Sequence, residues 1–470
     1  MTRLDRFFEI SARGSTIATE LRGGVVTFIA MAYIVVLNPI ILSGSPDVDG
    51  NSLGFTQVSA VTSLAAGVMT ILFGVVARLP FAFAAGLGIN SFLASSVVGD
   101  LTWPEAMGLV VINGLIIVLL AVTGLRRLIF DAVPMPLKLA ITAGIGLFIL
   151  FIGLVDAGFV GATGFASPPL GLGGDGGGSI TTVPTLIFVF TLLLTGILVA
   201  RKVRGGILVG LITGTVVAVI VEAVWHLGPG TENPGGWGLS VPTLTGSPFA
   251  IPDLSLVGEF SFDSFGRIGI LAAVMLVFTL VFTNFFDAMG TFTGLSKQAG
   301  LADQNGNFPR LQSALVVEGA GAVVGGAASA SSNTVFIESG AGIGEGARTG
   351  LASLVTGALF LAAMFLTPLA AIVPTEVAAA ALVIVGAMMA SNLREIDYTD
   401  FSVALPVVLT VTVMPLSYSI ANGIGVGFIS WVVLRSASGK AREISPLLWI
   451  VAAGFLLYFA RGWVDTFVGI

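Results

Sequence analysis

The chain has 470 residues, 55% of them hydrophobic and only 10% charged, with 62 glycines, a mean hydropathy of +1.02 and no cysteine. Soluble proteins carry roughly 25% charged residues, so this composition excludes a string of soluble domains and leaves a polytopic membrane protein. The net charge of −6 gives no basic surface for nucleic acid; the missing cysteines exclude disulfides and thiolate chemistry; and a single histidine, His226, leaves no histidine-built metal centre.

Residues 1–23 carry basic residues but no short apolar core followed by a small-residue cleavage site, and are read as a retained cytoplasmic N-terminus. A membrane span needs about 20 mainly apolar residues. By that measure spans fall near 24–43, 58–77, 81–98, 105–124, 136–155, 183–200 and 206–225, followed by a polar Gly/Pro-rich stretch. A second set falls near 268–290, 310–327, 330–344, 348–368, 373–391, 402–416 and 420–435, with an apolar remainder, 446–460, expected to lie along the interface.

With the N-terminus cytoplasmic, eighteen of the twenty basic residues fall on cytoplasmic segments, and only Arg267 and Arg461 fall elsewhere, at span ends where they can snorkel. Outside loops collect Asp47, Asp49, Asp100, Asp156 and Asp175 instead. The halves also look related: RKVRGGILVGLITGTVVAVI after span 6 matches YSIANGIGVGFISWVVLR after span 13 in its Gly-Ile and Val-Gly spacing. Seven is odd, so the second copy enters the membrane inverted, the plan of secondary transporters that hold substrate near the midplane.

Spans 3 and 10 are short and broken, with the runs FAFAAGLGINSFLAS (81–95) and GGAASASSNTVFIESGAGIGEGAR (325–348). Residues 81–84 and 334–337 predict brief strands leading into half-helices. Irregular backbone at membrane depth is tolerated only where it is buried or lines a cavity. Close packing of small residues explains the Gly and Ala of these runs but not Asn90, Asn333 and Glu338.

Two carboxylates are the sharpest clue. Asp287 follows nineteen uncharged residues, and Glu338 sits in NTVFIESGAG; the nearest basic residues, Lys297 and Arg348, are ten positions away. A carboxylate at mid-span costs about 2.5–3.5 kcal/mol or more, so it faces a cavity and has a task. Without histidines for a metal, such acids suit a ligand that donates hydrogen bonds, a proton, or both. Glu318 and Glu222 fall within or near spans at a depth the sequence does not fix, and His226 lies at the outer boundary. Phe83, Phe286 and Phe336 adjoin the polar positions and could sandwich a planar ligand. GLGIN and GAGIGEG superficially resemble phosphate loops, but neither sits in a βαβ unit nor is followed by GKS or GKT. No Ser/His/Asp set exists for hydrolysis, so no enzyme and no cofactor are expected.

FIAMAYIVVLNPIIL, AGLGINSF, NFFDAMGTFTGLSKQAGL and NTVFIESGAGIGEGARTGL together resemble the nucleobase:cation symporter-2 family over about residues 3–435. They are most similar to its azaguanine-resistance-like branch of adenine, guanine and hypoxanthine permeases. The resemblance implies an all-α protein of fourteen segments in two inverted repeats of seven, with short strands in segments 3 and 10. It implies a core domain from segments 1–4 (24–125) and 8–11 (268–368) and a gate domain from segments 5–7 (136–226) and 12–14 (373–435). Residues 227–267 form an extracellular loop and 436–470 a C-terminal segment.

It further implies that Asp287 and Glu338 grip the base, that Asn90 and the backbone of Ala85 and Gly86 contact the ring, and that Phe83, Phe336, Thr334 and Ser339 line the site. Asp287, Glu338 and Thr291 are the positions tied to proton coupling. Thr291 stands where some relatives carry a histidine, and Ser339 where xanthine transporters often carry Asn; both depart from those patterns. The expected function is import of purine nucleobases across the cell membrane by proton symport with alternating access. The expected partners are the base, the proton and the bilayer, with a homodimer as the assembly to consider. An anion transporter of the same architecture, a membrane-embedded enzyme and a channel stand as alternatives.

Overall fold

Apolar runs in lipid must satisfy their own backbone, and helices do so. The computed structural model describes residues 3–460 apart from 126–131, 166, 244–245 and 303–307, and excludes the side chains of Phe286 and Thr293. Among the described residues ten helices are long and apolar enough to cross a membrane. They are Ile17–Ser43, Phe55–Val76, Trp103–Thr123, Met135–Asp156, Val183–Ala200, Gly206–Trp225, Ile270–Gln298, Gly350–Ala370, Thr375–Glu395 and Ile420–Ala437, or segments 1, 2, 4, 5, 6, 7, 8, 11, 12 and 14. Shorter apolar helices supply segment 9 (Leu311–Ala327) and segment 13 (Phe401–Leu416).

Segments 3 and 10 are a strand followed by a short helix. Strand Phe83–Ala85 leads into helix Leu87–Phe92, which continues as a π-turn through Val97; strand Asn333–Val335 leads to helix Ser339–Gly344. The fourteen-segment plan therefore holds. The sequence places the end of segment 8 near 290, yet the helix runs on to Gln298, through a stretch that holds no proline to stop it. Arg126, Arg127 and Arg461, used for orientation, lie outside the described residues.

Local signals explain the breaks and starts. Segment 4 opens with a reciprocal Thr102–Glu105 capping box and Pro104 in the first turn. Segment 1 is interrupted at Ala32–Tyr33, between helices Ile17–Met31 and Ile34–Ser43. Pro39 in its second half has no N–H for the Val35 carbonyl, and the Ser59 hydroxyl of segment 2 donates to that carbonyl at 3.0 Å.

Glycine sets the packing. A Cβ at Gly67 would stand 2.9 Å from the Gly357 carbonyl oxygen, and one at Gly350 only 1.9 Å from that of Gly74, so segments 2 and 11 touch backbone to backbone. Gly114 and Gly319 join segments 4 and 9 in the same way, and Gly146 and Gly386 join segments 5 and 12. Exchanging the two sevens turns the 2–11 contact into the 9–4 contact and the 5–12 contact into itself, as an inverted repeat requires. Segments 1–4 pack mainly with 8–11, and segments 5–7 with 12–14.

The segments alternate in direction, so Arg13, Arg78 and Arg310 meet around Glu9 on the face that carries the N-terminus. On the opposite face Glu222 accepts Trp237 Nε1 at 2.7 Å and the Leu227 amide at 3.0 Å, which makes it the anchor of the loop that follows. Helix Pro446–Phe459 packs through Phe455 on Phe428 and Phe278; its 14 residues span about 21 Å, less than the roughly 30 Å hydrocarbon core.

Candidate functional site

The two short strands pair antiparallel at the centre of the molecule, in register Phe83↔Val335, Ala84↔Thr334 and Ala85↔Asn333. Phe336 N donates to the Ala82 carbonyl and Gly86 N to the Ser332 carbonyl, both at 2.9 Å, extending the ladder at each end. A two-stranded ribbon has two raw edges, which lipid cannot satisfy. Here one side chain closes part of an edge and another completes the end of the ladder. Thr70 Oγ1 accepts from Phe83 N at 2.9 Å and donates to the Phe83 carbonyl at 3.1 Å. Ser339 Oγ accepts from Ala82 N at 2.9 Å and donates to the Phe336 carbonyl at 2.7 Å. Ser339 is thus committed to the backbone of the crossing.

The half-helices start where the strands end, so two helix N-termini with their unpaired first-turn N–H groups meet at the crossing. The Gly86 N–H and carbonyl are both engaged, the latter by Asn90 N. The free first-turn donors of the segment 3 half-helix are therefore those of Leu87–Ile89, immediately after the Ala85–Gly86 pair that the sequence suggests. Gly86 itself is required by space, since a Cβ there would meet Thr334 Cγ2 at 3.0 Å.

Glu338 stands immediately before its half-helix, half-buried, and Tyr33 donates its hydroxyl to Glu338 Oε1 at 2.5 Å. Tyr33 comes from the break in segment 1 and is fully buried. Asp287 on segment 8 is also half-buried and lies within electrostatic reach of Glu338. Among the described residues neither carboxylate has a basic partner.

Below Asp287, Gly290, Thr291, Gly294 and Gln298 recur at helical spacing on one face of segment 8, all at least partly exposed. Nothing lies within 4 Å of a Cβ built at Gly290 or Gly294, and Gln298 Nε2 donates to the Gly340 carbonyl of segment 10. We call this exposed face, which borders segment 10 and runs from Asp287 toward the N-terminal side of the membrane, the vestibule.

A third acid stands behind the strands. Glu318 on segment 9 is 1% exposed and lies against the Thr334 hydroxyl and the Val335 backbone of the strand, within electrostatic reach of Asp287. Both amide atoms of Asn90 and of Asn333 are buried without partners. Such groups each cost about 1–3 kcal/mol, so their concentration around one crossing marks a place built for a polar guest.

The aromatic expectation resolves differently. The Phe83 ring is fully buried in a cluster with Phe73 at 4.7 Å and Phe292 at 6.4 Å, so it packs the core. Phe336 is 7% exposed and belongs to the main core, and the Phe286 side chain is outside the described set. Sequence reasoning missed Tyr33. Its signal was visible, one of four tyrosines, set in the middle of the apolar run FIAMAYIVV.

Comparison with known proteins gives the family and the fold. The family model described as "Permease family" matches residues 18–426. The guanine/hypoxanthine permease PbuG of Bacillus subtilis is 37% identical, covering 96% of this chain and 98% of its own. The adenine permease AdeP of Escherichia coli is 35% identical, covering 97% of this chain and 95% of its own. In fold the chain resembles the transmembrane domain of the cyanobacterial bicarbonate transporter BicA (TM-score 0.61, 19% identity, 86% of this chain and 97% of that one). It also resembles murine Slc26a9 in its inward-facing state (TM-score 0.60, 10% identity, 90% and 68%). The chain is a multi-pass membrane protein with the inverted-repeat core-and-gate fold, and it belongs to the nucleobase:cation symporter-2 family of permeases.

Proposed function

We propose that this protein imports purine nucleobases across the cell membrane by proton symport, with the N-terminus cytoplasmic. The observation that carries the reading is a pair of half-buried carboxylates, Asp287 and Glu338, with no basic partner among the described residues, facing two helix N-termini across one vestibule. A purine presents N–H donors beside ring acceptors. Its N–H groups match Glu338, which Tyr33 holds in place, and Asp287; its acceptors match the free N–H groups of Leu87–Ile89 and the amide of Asn90. Relatives named as guanine/hypoxanthine and adenine permeases support the same cargo class.

Asp287 lies within electrostatic reach of both Glu338 and Glu318, so charge on it is opposed from two sides. A proton taken up with the base relieves that repulsion and leaves when access switches, which couples the two. Switching itself is movement of segments 1–4 and 8–11 as a core against segments 5–7 and 12–14 as a gate. Both sides of the crossing come from one polypeptide, so a single chain is the transport unit of this mechanism. The same fold in BicA belongs to a bicarbonate transporter, but unpaired carboxylates oppose an anion at this site.

The test is uptake of radiolabelled hypoxanthine, guanine and adenine by cells lacking their own purine permeases, with and without a protonophore. Accumulation that the protonophore abolishes, and that Asp287→Asn and Glu338→Gln each remove, is the expected result. Full proton-driven uptake by both variants would sink the assignment.

A further inference from the structure

Away from the crossing, one charged cluster joins elements that the repeat assigns to different packing groups. Glu345 caps the C-terminal end of the segment 10 half-helix, and its side chain is only 7% exposed. It binds Arg22 Nε of segment 1 at 3.0 Å and the guanidinium of Arg204, from the turn between segments 6 and 7. Arg22 also donates to the Glu345 carbonyl at 3.2 Å, whereas Arg22 and Arg204 are both well exposed beyond their shared acid.

The register that pairs Ala84 with Thr334 equates each residue of segment 3 with the residue 250 positions later, so the counterpart of Glu345 is Ser95. Its neighbour Ser96 donates to the Tyr418 carbonyl at 2.9 Å. Tyr418 lies in the turn between segments 13 and 14, at the position matching Arg201 in the repeat. The far end of each half-helix therefore touches the corresponding turn of the other packing group. One contact is a neutral hydrogen bond on the opposite face, and the other is an ion pair on the N-terminal face.

We propose that Glu345 is a releasable clasp that favours the conformation seen here, in which the vestibule below Asp287 opens toward the N-terminal face; this rests on the alternating-access reading above. Arg22 rides with Glu345, because segments 1 and 10 pack together, while Arg204 belongs to the other group. When the groups separate, a nearly buried carboxylate would be stranded at high cost if Arg204 were its sole partner. Arg22 removes that cost, so the clasp holds without trapping. The two arginines then have opposite effects on the equilibrium: losing Arg204 frees the other conformation, and losing Arg22 makes Glu345 depend on Arg204 and tightens the grip.

The absence of cysteine from the chain allows a direct measurement. Gly294→Cys places a thiol in the vestibule, where nothing lies within 4 Å of its Cβ. Maleimide labelling of this reporter in the full-length protein, in permeabilised membranes without substrate, reads the fraction of time the vestibule is open. Adding Arg204→Ala or Glu345→Gln slows labelling by about threefold or more, Arg204→Lys restores it, and Arg22→Ala leaves it as fast or faster. Slowing by Arg22→Ala equal to that by Arg204→Ala, or no slowing by either Arg204→Ala or Glu345→Gln, overturns the clasp. The reporter needs no purine, so a chain that fails the uptake panel while keeping this contrast would refute the cargo and leave the clasp standing.

Discussion

Segments 3 and 10 are the same device built twice: a three-residue strand, a tight turn and a half-helix, related by the pairing of Ala84 with Thr334. Their chemistry is not the same. Where segment 10 carries Glu338, segment 3 carries Gly88; where segment 3 carries Asn90, segment 10 carries Gly340; and Glu345 faces Ser95 across the repeat. A Cβ at Gly88 would stand 2.7 Å from Ile145 of segment 5, so that position is closed against the gate, whereas Glu338 opens on the vestibule. The repeat supplies two helix N-termini at one point. The asymmetry decides that acceptors of hydrogen bonds come from one side and donors from the other.

The largest effect should come from the side that carries charge. Glu338→Gln and Asp287→Asn each replace a charge-assisted hydrogen bond of about 1.5–3 kcal/mol, a loss of roughly 10- to 150-fold in kcat/KM for purine uptake. Gly88→Ala, on the neutral side, should instead reduce uptake through the clash with Ile145 without altering the ranking of bases. A change of base preference in Gly88→Ala, measured by competition, would mean that segment 3 reads the ligand as closely as segment 10 does.

Next come the two hydroxyls that stitch the strand edges. Thr70→Val leaves both the N–H and the carbonyl of Phe83 unpaired at membrane depth, whereas Ser339→Ala leaves only the Ala82 N–H, since the Phe336 carbonyl keeps Ser339 N at 3.1 Å; the cost is about 1–3 kcal/mol per group. Both variants should lower the midpoint of thermal unfolding in detergent, Thr70→Val by more, because it orphans two backbone groups against one. A loss of uptake in Ser339→Ala with undiminished thermal stability would show that its hydroxyl serves the ligand.

Tyr33→Phe is a smaller perturbation, removing one donor from Glu338 while keeping the ring that packs segment 1. Losing a hydrogen bond of this kind is worth about 1 kcal/mol, so KM should rise about fivefold with little change in the maximal rate. An unchanged KM would mean that Glu338 holds its position without segment 1.

What the sequence revealed and what it hid divide along physical lines. Spans are legible because a 30 Å apolar slab imposes a length on every crossing, and the broken segments are legible because Asn and Glu beside Gly are costly at that depth. The edge stitching was hidden, since Thr70 and Ser339 look like any other small polar residues until the ribbon they close exists. Phe83 misled for a related reason: adjacency in sequence put it beside the site, but alternation along a strand sends neighbouring side chains to opposite faces, and its ring went to the Phe73 cluster. The depth of Glu318 could not be read from a Gly-rich helix with no polar stripe, and only packing against Thr334 places it behind the crossing.

Asn90 gives the finest test of the comparison because stability and binding should move in opposite directions. Both of its amide atoms are buried without partners, so Asn90→Ala removes an unmet cost and should leave thermal stability unchanged or raised by about 1 kcal/mol. If the amide is there to meet a purine acceptor, the same variant weakens purine binding by about three- to tenfold, and the stabilisation conferred by saturating hypoxanthine shrinks in step. Its counterpart Gly340→Ala meets only the flexible end of Gln298, at 2.6 Å, and should be accommodated with neither effect. A destabilised Asn90→Ala with normal affinity would reverse the assignment and make Asn90 a structural residue of the half-helix, leaving recognition to the acids of segments 8 and 10.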